Sequence, residues 1–266
     1  MLTYRDFKTA FSELDLGLHS RLIVHASLQA FEPVAGGTNS IVGALLSTVE
    51  MVLTPTFTTR TMVTPAVGPP DNAINYGDAL GLNNDAMFFT PDLPADPDMG
   101  DVAEIIRCHP DARRSSHPIL SFAGLNVDEA LESQSIEDPF APISWLADFD
   151  GDVLLVGVDH TANVSLHYSE KAAGRVQFTR WALTPEGVVA CPGFPGCPDG
   201  FQAIAPRLEA VVRRVQVGHG TIEAIPLRDL VNIAVGWIHE DPRAMLCDRL
   251  GCPRCSTTRA LVRLDS

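Results

Sequence analysis

Apolar positions in this chain fall into two patterns, short β-branched runs and stretches spaced three and four residues apart. Through residue 170 the two alternate. Phe7, Phe11 and Leu14 predict an amphipathic helix over residues 4–14, ending before Gly17. A short strand over 21–24 runs into His25, Ala26, Ser27 and Leu28. The loop EPVAGGT (32–38) follows, then a helix capped by Thr38 or Asn39 and reaching about Val49, and a strand over 51–57. Residues 58–97 are rich in Pro, Gly, Asn and Asp without periodicity, which predicts an irregular insertion. Helices are predicted over 99–107, 127–132 and 143–147, with a polar turn over 113–121 and another turn over 139–142. The run 153–158 is apolar enough to be a strand buried on both faces, and a helix follows to about Ala173. A hairpin of 176–183 with 188–190 and helices over 205–215 and 228–238 complete the reading. Alternating strands and helices predict an α/β fold, a central mostly parallel sheet flanked by helices, in one domain over 1–266 with a cysteine-rich part at 191–255.

The stretch VLLVGVDHTANVSLHYSE carries the first candidate chemistry. Asn163, His167 and Glu170 are spaced to share a helix face just past a buried strand, where open α/β sheets bind ligands. That suits proton transfer, although a packed histidine and a solvated glutamate would leave the same pattern. His25 is a second histidine at a strand's carboxyl end. Gly36 and Gly37 open a helix, a setting suited to pyrophosphate or simply a turn. Arg113, Arg114, three serines and His117 form either a donor cluster for phosphates or a polar loop pinned by Pro118.

Charge narrows the partner. The 266 residues carry 19 Lys plus Arg against 33 Asp plus Glu, a formal charge of −14, which argues against nucleic acid. Six of the acids lie between Asp85 and Glu104 with no Lys or Arg among them, a lobe suited to a polyamine. With no long apolar run and no basic, apolar leader zone at the start, the expectation is a soluble cytoplasmic protein without a membrane partner. Monomer and homodimer both stay open.

Five of the six cysteines lie beyond residue 190: Cys191 and Cys197 in CPGFPGC, and Cys247, Cys252 and Cys255 in CDRLGCPRC. A CxxC with a third cysteine nearby is suited to a structural zinc (Zn2+), for which five thiols compete for four positions. The alternatives are reduced free thiols or a redox pair, though no thioredoxin-like strand and helix precede the CxxC.

Taken in order, LIVHASLQAFEPVAGGTNSIVGALL, MGDVAEIIR, RSSHPILSFAG and LLVGVDHTANVSLHYSE resemble the aminoglycoside 3-N-acetyltransferase family over residues 4–240. The resemblance implies a cytoplasmic antibiotic-resistance transferase that moves the acetyl group of acetyl-CoA to the 3-amine of an aminoglycoside. Its fold would differ from that of the GCN5-related acetyltransferases. The family's histidine before a glutamate falls on His167, with Glu170 as an orienting carboxylate. A neutral imidazole suits a general base for an amine that arrives protonated. The family's VHSSL segment falls on His25, Ala26, Ser27 and Leu28, with Ala26 where serine is usual. His25 would meet the thioester or its oxyanion, or serve only in cofactor contact or packing. The glycine-rich CoA loop maps onto Val34, Gly36 and Gly37, and the RSxHP segment puts Arg114, Ser115, Ser121 and Phe122 at the cofactor. Phe140 stands where some members have histidine. The acidic loop offers Asp71, Asn75, Asp85 and Asp98 to the cationic acceptor. For the metal the resemblance favours Cys197, with Cys247, Cys252 and Cys255, over Cys191. Two alternatives are an acyl-CoA-dependent N-acyltransferase acting on another amine and a non-catalytic zinc-stabilised binding protein. The second is opposed by the intact His25, Gly36, Gly37, His117, His167 and Glu170.

Overall fold

In the computed structural model, which describes residues 1–76 and 80–262, the apolar runs become the middle of a seven-stranded sheet. In chain order α1 (Tyr4–Glu13), β1 (Arg21–Ala26), α2 (Thr38–Leu46), β2 (Met51–Pro55) and β3 (Met62–Val63) precede α3 (Gly100–Arg107). Then come β4 (Arg113–Arg114), β5 (Phe122–Leu125), α4 (Asp128–Glu132), α5 (Ala141–Asp148), β6 (Asp152–Val156) and α6 (Ser165–Ala172). The rest is β7 (Phe178–Thr184), β8 (Gly187–Phe194), α7 (Ala205–Leu208), β9 (Arg213–Val217), β10 (Gly220–Pro226), α8 (Leu227–Glu240) and α9 (Pro253–Val262).

The sheet order is β4-β5-β2-β1-β6-β10-β9, with β1 parallel to both β2 and β6. Only β5 and β10 run against the other strands, so five of the seven point one way. Alternate residues of one strand feed opposite layers. Ile23, Leu53, Val153 and Leu155 pack toward α5, α6 and α8, whereas Leu22, Val24, Val52 and Leu154 pack toward α1, α2 and α3. Burial on both faces is why these runs are continuously apolar rather than alternating.

A second, antiparallel sheet, β3-β7-β8, joins the irregular insertion to the hairpin through Met62 opposite Ala182. Part of that insertion, residues 77–79, lies outside the described residues. Among the described residues no helix is long and apolar enough to cross a membrane.

Three expectations are corrected. The helix read over 205–215 stops at Leu208, because Val215 and Val217 alternate with Arg214 and Gln216 before the turn at Gly218 (φ +56°). Period two wins there, and β9 and β10 form a hairpin. The polar turn read over 113–121 begins with a strand, since Arg113 and Arg114 pair with Gly124 and Ala123 of β5. The hairpin partner at 188–190 extends over all of β8.

Gly157, one residue past β6, takes φ +65°, and a side chain there would lie 2.6 Å from the Ser27 carbonyl. Gly157→Ala is therefore expected to lower stability by at least about 2 kcal/mol in urea unfolding, with losses below about 0.5 kcal/mol arguing against a tight β1–β6 exit.

Candidate active site

Because β1 and β6 are parallel neighbours, their carboxyl ends open onto one place. A cleft of about 570 Å³ lies there, lined by His25, Ser27 and Leu28 after β1, by Thr161 and Ala162 after β6, and by His167 of α6. Gly100 (φ +83°) allows the start of α3 to abut β1, since an added Cβ would sit 2.8 Å from the Ala26 carbonyl. That approach brings Asp98 and Asp101 to the rim. Phe194, Pro195, Pro198 and Arg254 line it as well.

His167 is buried, and its Nδ1 lies 3.1 Å from Glu170 Oε2. A carboxylate only accepts, so Nδ1 carries the proton and Nε2 keeps its lone pair. The ring is wedged between Phe201, with centroids 4.7 Å apart, and Phe140 at 6.0 Å. Glu170, 1 % exposed, accepts through its other oxygen from Arg175 Nη1 at 2.7 Å. Arg175 in turn donates to the carbonyls of Pro242 (3.0 Å) and Ala244 (2.8 Å). The backbone of Arg175 is turned back by a Schellman ending: its N–H reaches Glu170 O, that of Gly174 reaches Lys171 O, and Gly174 takes φ +76°. Asn163 lies off this face. It precedes α6, its Nδ2 sits 3.3 Å from His160 Nδ1, and its Oδ1 takes the Ser165 N–H.

His25 is 5 % exposed, with Nε2 buried and unpartnered among the described residues. Burial first, and the field of His160 second, lower its pKa to about 3, so the ring is neutral. Ser27 caps the short 3-10 helix Leu28–Ala30 by accepting the Gln29 N–H.

Other sequence candidates stand elsewhere. Val34, Gly36 and Gly37 form the loop ahead of α2, with Val34 bridged to Leu2, and do not line the cleft. Arg114, Ser115, Ser121 and Phe122, expected at the cofactor, are engaged within the fold. Arg114 donates to the carbonyls of Thr56, Pro91 and Leu93 and to Ser121 Oγ, clamping the insertion to β2. Ser115 Oγ accepts the Phe122 N–H, Ser121 bonds Thr56, and the Phe122 ring is core. Those groups are already spent on the fold. Of the acceptor candidates only Asp98 reaches the cleft, whereas Asp71, Asn75 and Asp85 are exposed away from it. Asp101, missed in the sequence, accompanies Asp98; its signal was position, the first turn of a helix behind a glycine. Arg175 and Arg254 were also missed, and only the glycine before Arg175 could have pointed to the first.

Cys197, Cys247, Cys252 and Cys255 are buried together, with all four Sγ within 4.8 Å of one another. Cys191 is apart, its thiol pointing at the Val189 carbonyl at 3.7 Å. Burial opposes ionisation of Cys197, Cys252 and Cys255 and pushes Cys197 and Cys255 up. In Cys252 the Cys255 N–H, Arg249 and the neighbouring thiols outweigh burial and bring it down to about 6.

In class the chain is an acyltransferase. It belongs to the aminoglycoside 3-N-acetyltransferase family, whose model matches residues 23–239. It is 27% identical over 238 residues to aminoglycoside N(3)-acetyltransferase IV of Salmonella sp, covering 85% of this chain and 83% of that protein. The fold is similar to that of the apoenzyme of aminoglycoside acetyltransferase AAC(3)-IVa (TM-score 0.77, 24% identity, 97% of each chain). It is also similar to that of AAC-IIIb solved with CoASH (TM-score 0.72, 19% identity, 90% of this chain and 96% of that one).

Burial also lowers His117, to about 4, against about 6.5 in an unfolded chain. For His25 and His117 the unfolded chain binds the extra proton, so their contribution is intact above about pH 6.5 and is lost as pH falls toward 4 and 3. Each is expected to cost about 2 kcal/mol between pH 7 and pH 5. Urea unfolding of His117→Gln should show that much less loss over this interval, and an unchanged slope would reject the assignment.

Proposed function

We propose that this enzyme transfers the acetyl group of acetyl-CoA to the 3-amino group of an aminoglycoside, with His167 as general base. The observation that carries the reading is the buried chain Arg175–Glu170–His167, which fixes the imidazole tautomer in a cleft that also holds His25. Family membership supports the acceptor, and the CoASH bound by the AAC-IIIb neighbour supports the donor.

His167 Nε2 takes a proton from the ammonium form of the acceptor, directly or through one water. The freed amine attacks the thioester carbonyl. The C–N bond forms, the C–S bond breaks as the proton held on Nε2 passes to the departing sulfur, and the second proton leaves the new amide nitrogen for solvent through the freed Nε2. Glu170 stabilises the imidazolium formed between these events. His25 stays neutral and serves as donor to the tetrahedral oxyanion, with Ser27 and Leu28 along the donor's arm. The N–H groups opening α2 behind Gly36 and Gly37 would face its phosphates. Asp98 and Asp101 draw the polycationic acceptor to the rim. Residues 1–266 act as one catalytic domain, with 58–97 as its acceptor-side insertion.

Cys197, Cys247, Cys252 and Cys255 would hold one zinc. Tetrahedral Zn–S bonds of about 2.3 Å put sulfurs about 3.8 Å apart, close to the spacing of this cluster. Four protein ligands leave no open position, so such a metal is structural.

Incubation with acetyl-CoA and a panel of aminoglycosides is expected to release free thiol. His167→Ala should lower kcat by about 10²- to 10⁴-fold while CoA binding persists. No turnover with any amine, together with no CoA binding, would falsify the enzyme reading, and a near-normal rate in His167→Ala would move the base to His25.

Metal analysis should find about one zinc per chain, and chelation should lower the Tm. A metal-free preparation with the same Tm would sink the zinc assignment.

A further inference from the structure

We infer that the four-cysteine centre positions the catalytic pair as well as anchoring the end of the chain, with Arg254 and Arg175 as the positioning residues. The inference rests on His167 and Glu170 being that pair, as proposed above. Three segments that bear the thiols bear on it, the Cys197 segment directly and the other two through Arg175 and through Gly196. Cys197 follows Gly196, whose Cα lies so close to the Glu170 carboxylate that an added Cβ would sit 3.0 Å from Oε2 and 3.2 Å from Oε1. Cys197 also begins the 3-10 helix Pro198–Ile204, which sets the Phe201 ring against the His167 ring.

Cys247 closes the segment whose Pro242 and Ala244 carbonyls hold the Arg175 guanidinium, and Arg175 grips Glu170. Cys255 follows Arg254 on α9, and Arg254 Nη1 donates to the carbonyls of Gly196 (2.7 Å) and Pro195 (3.3 Å). Gly200 locks the first two segments together, because a side chain there would collide with the Met245 carbonyl and the Cys247 N–H. Gathering the four sulfurs therefore fixes Gly196 on one side of the Glu170 carboxylate and the Arg175 anchor on another. Glu170 in turn fixes the orientation of His167. Beyond the ring itself, the groups that hold the carboxylate, Arg175 and Gly196, both lie outside α6.

The test uses the full-length zinc-loaded protein, with metal content, Tm, kcat and KM measured on each variant. It adds one readout independent of turnover, the downfield proton resonance of the His167 Nδ1–H···Glu170 bond, assigned by its loss in His167→Ala. Arg254→Met is expected to keep its zinc and its Tm within a few degrees while kcat falls about tenfold. KM for both substrates should stay within about twofold and the resonance should shift or broaden. Arg254→Lys, which can still donate to the two carbonyls, should recover most of the rate. Gly196→Ala, approaching Glu170 from the same side without removing a charge, should reproduce the loss. Chelation below the unfolding temperature should move the same resonance, and added zinc should restore it.

An unchanged resonance and kcat in zinc-loaded Arg254→Met and Gly196→Ala would overturn the inference. So would a rise in KM alone in Arg254→Met, which would make Arg254 a ligand contact instead. If the wild-type chain turned over no aminoglycoside, the proposed function would fall, while the resonance would still report whether the cysteine centre sets the geometry of the pair.

Discussion

The structure depends on holding one carboxylate between two donors where water does not reach. Glu170 is almost fully buried, and an unpaired charge there would cost several kcal/mol. Its two oxygens are divided between His167 and Arg175, and Arg175 spends its remaining donors on two carbonyls from the far end of the chain. The pair is not an economical way to stabilise a fold, because apolar residues of similar volume would serve as well. What the arrangement supplies is a fixed imidazole tautomer. With Nδ1 committed to Glu170, Nε2 is the only ring nitrogen left to exchange protons.

The sheet determines where that imidazole can work. Parallel β1 and β6 end side by side, so His25 from the first and His167 from the helix after the second reach the same cleft. Their environments then separate their roles. His25 has no carboxylate partner and is held neutral by burial, which suits a donor or a packing contact and not a proton acceptor. His167 has an ionised partner, which suits a group that must become cationic and then neutral again within one turnover. Two histidines that look alike in sequence are thus set in different environments by one hydrogen bond, and the proposed roles follow that difference.

The sequence reading succeeded where a pattern had one physical cause. Continuous apolar runs located β1, β2 and β6 because burial on both faces leaves no alternative composition. The four metal-competent thiols were chosen from five with help from the family resemblance. It failed where a pattern had two causes. Val211, Val212, Val215 and Val217 fit a helix face nearly as well as an alternating strand, and the glycines at 218 and 220 were the signal that should have decided it. Arg114 and Ser115 read as phosphate donors because unpaired donors and donors consumed by carbonyls look the same in sequence. Arg175 left only the glycine before it as a signal and Arg254 left none, since their carbonyl partners lie 67 and 69 residues away (Arg175 to Pro242 and Ala244) or 58 residues away (Arg254 to Gly196).

The bonds of Arg114 also bear on the acidic stretch beside it. Its guanidinium bonds the carbonyls of Thr56, Pro91 and Leu93, and Asp96 takes the N–H and hydroxyl of Thr59 and pairs with Arg60. The acidic stretch is therefore not a uniform field of free carboxylates, because Asp96 and Glu104 are already neutralised by arginines. The charge left facing the cleft comes from Asp101 in the first turn of α3 and Asp98 in the 3-10 turn Pro97–Met99 just before it. The positive end of the helix dipole favours carboxylates there, and Gly100 pins this end of α3 against β1. Among the described residues, Arg254 is the cation in the cleft lining, and its donors are held by the Pro195 and Gly196 carbonyls. A polycation entering this cleft meets two fixed negative charges at the mouth and a positive charge already committed to backbone. On the proposed reading, that division would orient an amine toward His167 from the α3 side of the cleft.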